Sequence, residues 1–105
     1  MKKIYLLALL LSFSAFAADA DYSLVIKDHR FQPAVLTVPA GSKFRLQIEN
    51  RDDTPEEFES HALNREKVIA AHGKATLYIG PLDAGRYPFF GEFNEATAQG
   101  VIVAK

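Results

Sequence analysis

The chain has 105 residues, 12 Lys and Arg against 13 Asp and Glu, a formal charge of −1 and no cysteine. That length supports a single domain. A near-neutral chain without a basic run offers nothing to neutralise phosphates, which argues against nucleic acid as a partner, and a chain without cysteine forms no disulfide.

Lys2 and Lys3 precede an apolar run from Ile4 to Phe13 that only Tyr5 and Ser12 interrupt, and Ala15-Phe16-Ala17 places small residues two apart. This is the pattern of a secretory signal peptide, residues 1–17, with a second possible cleavage point after Ala20. The run is about ten residues, against the roughly 20 that a bilayer span requires. Cleavage after Ala17 leaves a domain of 88 residues, 18–105, with ten basic and thirteen acidic side chains and a formal charge of −3. The short Lys-Lys leader has a bacterial character, so the expected location is the periplasm, with no membrane span in the mature chain.

From Tyr22 onward the apolar residues alternate as in a sheet. Tyr22, Leu24 and Ile26 share one face, Lys27-Asp28-His29-Arg30 is polar, and Phe31-Gln32-Pro33 leads into Val35 to Val38. Pro39-Ala40-Gly41-Ser42 is a turn, since Pro presets its φ and Gly accepts a positive one. Lys43 to Asn50 alternates strictly, with Phe44, Leu46 and Ile48 inward and Lys43, Arg45, Gln47 and Glu49 outward. A loop through Pro55 precedes Phe58, Leu63, Val68 and Ile69 mark a less regular stretch, and Ala75, Leu77 and Ile79 alternate again. Tyr87, Phe89 and Gly91 lie on one face of a penultimate strand, and Val101 and Val103 repeat the alternation after Gly100. The spacing predicts an all-β antiparallel sandwich of about seven or eight strands with Greek-key connections, and one helical turn near residues 95–98.

The last segment resembles the end of a cupredoxin, in which a Tyr-x-Phe-x-Cys strand runs into a ligand loop and a closing strand. Here the resemblance places Gly91 at the Cys position, Asn94 at the His, Gln99 at the Met, and Gly100 after it. Phe31-x-Pro33, Leu36-x-Val38-x-Ala40-Gly41, Phe44-x-Leu46-x-Ile48-x-Asn50 and Pro81-x-x-x-Gly85-x-Tyr87 extend the likeness through the whole mature chain. The resemblance therefore implies a cupredoxin-like Greek-key sandwich that has lost the blue-copper ligands of its loop. Within that superfamily, Thr54-Pro55-Glu56-Glu57-Phe58-Glu59-Ser60 and Gly91-Glu92-Phe93 look like the EfeO-type cupredoxin-like domain of bacterial periplasmic iron-uptake systems. That likeness implies a metal site that is not blue copper, iron or copper as the metal, and a high-affinity iron permease or a periplasmic iron-binding protein as partner.

The candidate metal residues are Glu56, Glu57 and Glu92. The copper-family frame puts its first ligand at Glu56, whereas the iron-uptake relatives point to Glu57, and the residues alone leave open which of the two turns towards the far loop. Carboxylate oxygens suit harder cations than Cys and Met do, which moves the expectation towards iron. Glu59, His29, His61 and Asn94 are secondary candidates. None of the histidines occupies a family ligand position, and Asn94 stands where relatives tend to carry His. The plainer reading of the acids is a solvated edge, with Arg51, Arg65 or Lys67 as counter-charges. Ser60 beside His61 is no nucleophile-base pair, because strand neighbours face opposite ways, so an accessory role in iron oxidation or electron transfer is the most that enzyme chemistry could amount to here. A periplasmic metal-binding accessory of iron uptake is the leading expectation. The alternative is a sandwich without metal that docks on a membrane transport partner through Phe89, Phe90 and Phe93.

Overall fold

The computed structural model describes residues 20–105, so the expected signal peptide lies outside the described residues. Nine strands run in chain order: β1 (Ala20–Lys27), β2 (Arg30–Gln32), β3 (Val35–Val38), β4 (Phe44–Asn50), β5 (Glu56–Ser60), β6 (Arg65–Ile69), β7 (Lys74–Ile79), β8 (Gly85–Gly91) and β9 (Gln99–Ala104). The one helical element among the described residues is a 3-10 turn at Glu92–Asn94, slightly earlier than the sequence suggested. Two sheets form a Greek-key sandwich, one ordered β2-β1-β4-β7 and the other β3-β9-β8-β5-β6. No helix among the described residues is long and apolar enough to cross a membrane.

The strand beyond the expected count is β2, only three residues long and preceded by polar sequence. It pairs with β1 through a two-residue turn in which Asp28 and His29 both have positive φ, 55° and 58°. Such a primed turn matches the twist of a hairpin. The Asp52 carboxylate holds this turn by accepting the N–H groups of Asp28 at 2.7 Å and His29 at 2.9 Å. Two pairings, β1 with β4 and β3 with β9, are parallel, so the sandwich is mixed where a purely antiparallel one was expected. The reason is topological: the chain leaves one sheet, adds a strand to the other and returns, and such a crossover brings strands together in the same direction.

Alternation then fills the space between the sheets. Leu24 and Ile26, Phe44, Leu46 and Ile48, and Leu77 and Ile79 face inward from the first sheet; Leu36 and Val38, Phe58, Ile69, Phe89, and Ile102 and Ala104 face them from the second. On β9 the buried positions are Ile102 and Ala104, and Val101 and Val103 are half-buried. At one end Phe31, Phe58 and Phe89 pack together, with Phe31 edge-on to both others at centroid distances of 6.2 and 5.0 Å. The Tyr87 hydroxyl donates to the Asp83 carbonyl at 2.7 Å, a tyrosine corner that fixes the entry into β8. The exposed edge strand β6 sends Arg65 across to the Tyr78 carbonyl on β7, closing one side of the sandwich.

Gly100 marks the closest approach in this core. A Cβ there would stand 2.3 Å from Cζ and 2.5 Å from Cε1 of Phe89, a ring that is itself buried. Gly100→Ala is therefore expected to lower unfolding stability by about 1–3 kcal/mol, the usual cost of overpacking a core. Val35→Thr, at a position 56% exposed, should stay within about 0.5 kcal/mol. Urea denaturation of the two variants checks both, and equal midpoints would contradict this packing.

Candidate metal centre

β5 alternates between two environments. Glu56, Phe58 and Ser60 are buried, while Glu57 and Glu59 are half-buried on the opposite face. The question left open between Glu56 and Glu57 thus has a definite answer in the backbone: Glu56 turns into the end of the sandwich, towards the loop after β8.

Glu56 is 1% exposed. Its Oε1 accepts the backbone N–H of Phe93 at 2.8 Å and its own neighbour's N–H, Glu57, at 3.0 Å. Its Oε2 accepts the Asn94 side-chain amide at 2.7 Å. Every partner is a donor, so a carboxylate satisfies all of them, and hydrogen bonds to a charged acceptor are stronger than neutral ones. The same loop closes on itself: Gly91 N–H donates to the Ala98 carbonyl, and Ala98 N–H donates to the Asn94 carbonyl, both at 2.8 Å. The Thr97 hydroxyl donates to the His29 carbonyl at 2.6 Å, tying the loop to the β1–β2 turn.

Beside this network Asn50, also 1% exposed, donates to the Thr54 and Ile69 carbonyls and accepts the Asp52 N–H. Burial alone would raise the Asp52 carboxyl, but the His29 and Asp28 N–H groups outweigh it and hold it below the ordinary range.

The second group of acids lies on the outer face. One carboxylate oxygen each from Glu57, Glu59 and Glu92 falls within 4.8 Å of the others. Glu66 stands opposite Glu59 across the β5–β6 ladder, where like charges destabilise. Lost hydration, contact with the Glu59 carboxyl and the charges of Glu92, Glu59 and Glu66 hold the Glu57 carboxyl above its usual value. Lost hydration, then Glu59, Glu95 and Glu66, raise Glu92 in the same way.

The structure thus divides the leading candidates. Glu57 and Glu92 come together with Glu59, and Glu56 joins Asn94 instead. His61 stands at the rim of the outer cluster, its Nδ1 3.9 Å from Glu59 and its ring against Phe90. His29 is exposed at the sandwich end, with Nε2 3.5 Å from the Thr54 hydroxyl. Of the aromatic residues, Phe89 is core, Phe90 is half-buried and Phe93 is 50% exposed. Glu59, a secondary candidate in the sequence, lies beside Glu57 and Glu92, and its spacing from Glu57 on one strand was the available signal for that proximity. Sequence reasoning gave no role to Asn50 or Asp52, whose importance depends on contacts between loops.

A match to the model of the cupredoxin-like domain runs over residues 3–104. The chain belongs to the cupredoxin-like domain family. Auracyanin A, a blue copper protein from the green thermophilic photosynthetic bacterium Chloroflexus aurantiacus, shares the fold at TM-score 0.73 and 13% identity, over 84% of this chain and all of that one (100%). The metal-binding domain of the Cu(I)-exporting P-type ATPase of Streptococcus pneumoniae D39 gives 0.69 and 11%, over 81% and 84% of the two chains. An uncharacterized protein of Rickettsia prowazekii (strain Madrid E) is 47% identical over 83 residues, which are 79% of this chain. The aligned part spans 66% of that relative's length, just under two thirds.

This cupredoxin-like fold is associated with copper and other metals, but the residues in its sandwich end do not fit a blue-copper ion. No cysteine exists in the chain. Gly91 has no side chain to offer, Asn94 is engaged by Glu56, and the Gln99 amide donates outward to the Glu95 carbonyl at 2.7 Å. Oxygen and amide donors lack the softness that copper centres of this fold take from sulfur.

The raised Glu57 and Glu92 carboxyls carry a sign. Each binds its proton more tightly folded than unfolded, so the folded chain gains stability as pH falls from neutral towards the ordinary glutamate value and loses it as pH rises through the raised one. Glu59→Gln should return both carboxyls towards their ordinary value and flatten that part of the stability profile. Carboxyl NMR titration checks this, and unchanged midpoints for Glu57 and Glu92 would refute the coupling.

Proposed function

We propose that this cupredoxin-like protein is an exported, periplasmic metal-binding accessory of metal acquisition, carrying its cargo ion on the outer face of β5 between Glu57, Glu59 and Glu92. The observation that carries the reading is the convergence of three carboxylates from two elements, their oxygens within 4.8 Å of one another. Lost hydration first, and then the mutual repulsion of these acids, hold the Glu57 and Glu92 carboxyls above their ordinary value. A bound ion would turn that repulsion into attraction.

The ligand chemistry favours iron over copper, because an all-oxygen set selects harder cations. His61 at the rim could add one nitrogen. The iron permease or periplasmic iron-binding protein implied by the sequence likeness would be the partner receiving or delivering the ion.

A second reading has its own support. Phe93 is half-exposed beside the closed sandwich end, as a docking surface for a membrane transport partner would require. In that reading the domain binds a protein and no metal.

Titration of chelator-treated protein with ferrous, manganous and cupric ions separates the two. The metal reading expects one ion to bind stoichiometrically, and Glu57→Gln, Glu59→Gln or Glu92→Gln to weaken it at least tenfold, about 1.4 kcal/mol. Binding no stronger than to an acidic surface, or variants that bind like the parent, would leave the docking reading.

A further inference from the structure

The sandwich end is closed by the protein's own hydrogen bonds, and the manner of its closing is specific. In a metal-holding loop the ion gathers side chains from separate segments; here one carboxylate gathers them. Glu56 on β5 takes hold of the turn after β8 by the Phe93 N–H at 2.8 Å and the Asn94 amide at 2.7 Å. The space it fills is the space any side chain at position 91 would need. A Cβ on Gly91 would lie 2.6 Å from Cδ and 2.7 Å from Oε2 of Glu56, and 2.7 Å from the Ala98 Cβ.

An inward Glu56 and a side chain at position 91 are therefore mutually exclusive. We infer that Glu56 is a built-in latch that replaces the metal ion in ordering residues 91–98, and that it keeps copper out of the sandwich end.

Three observations converge on this. Glu56 is buried, and two of the three N–H groups it accepts, those of Phe93 and Asn94, belong to this loop. A Cβ at position 91 would collide with the carboxyl and with Ala98 as they stand. The loop's own bonds, Gly91 to Ala98 and Ala98 to Asn94, fold the same segment from within. The inference does not depend on the outer site, which uses the opposite face of β5.

Donor–acceptor complementarity supplies the test. Asn94→Asp would set a second carboxylate against Glu56, and burying two such acceptors face to face without a donor is costly. Glu56→Gln added to that variant supplies an amide N–H to the new carboxylate while keeping an oxygen for the Phe93 N–H.

Hydrogen exchange of the Phe93 and Ala98 amides in the chelator-treated full chain is the readout. The latch predicts protection without metal, at least tenfold faster exchange in Asn94→Asp, and substantial recovery in the Glu56→Gln/Asn94→Asp double variant. Cuprous or cupric ion should change neither amide in the parent protein.

Two results would overturn it. One is loop amides that exchange freely in chelated protein and are protected only when copper is added. The other is a double variant no better protected than Asn94→Asp alone. Metal binding that is absent, or unchanged in Glu57→Gln and Glu92→Gln, with the Phe93 amide still protected would count against the outer site and leave the latch standing.

Discussion

The architecture at the functional end depends on one buried carboxylate. Glu56 carries its carboxylate into the closed end of the sandwich, and a buried charge is tolerated only when it is bonded. The three N–H groups that meet it come from β5 itself and from the turn after β8, so satisfying the charge also determines where that turn lies. Phe58, two residues on, anchors the same strand in the aromatic cluster with Phe31 and Phe89. Core packing thus sets the height of Glu56, and Glu56 sets the loop.

The other side of β5 follows from the same alternation. Once Glu56 and Phe58 face inward, Glu57 and Glu59 must face outward. There Glu92 from the 3-10 turn joins them, placed by the very loop that Glu56 holds. The result is an unfavourable concentration of negative charge next to a well-satisfied one. A cation visiting it would relieve that concentration, and this is the basis of the proposed accessory role.

Much of this was legible in the residues. Period-two alternation in β4, β7 and β8 identified the inward faces, and the turn residues between them delimited the strands. The frame of the closing segment singled out Gly91, Asn94 and Gln99, which lie in and at the ends of the loop between β8 and β9. What could not be read was set by contacts between distant segments. The pair Glu56-Glu57 is symmetric in sequence, and only the placement of Phe58 against Phe31 and Phe89 fixes which one is inside. The short β2 depends on Asp52 clamping a turn twenty-odd residues earlier, a contact no local pattern announces. Likewise β1 beside β4 and β3 beside β9 run parallel because of crossovers that strand-by-strand reading does not reveal.

The central claim is that β5 separates two kinds of carboxylate, an inner one that organises the protein and outer ones that face a cation. A crystal soaked with manganous ion and measured for anomalous scattering would test it directly. The account predicts a peak on the outer face among Glu57, Glu59 and Glu92, with Glu56 still bonded to Phe93 and Asn94. A peak inside the sandwich end, ligated by Glu56 with Asn94 swung onto the metal, would contradict it.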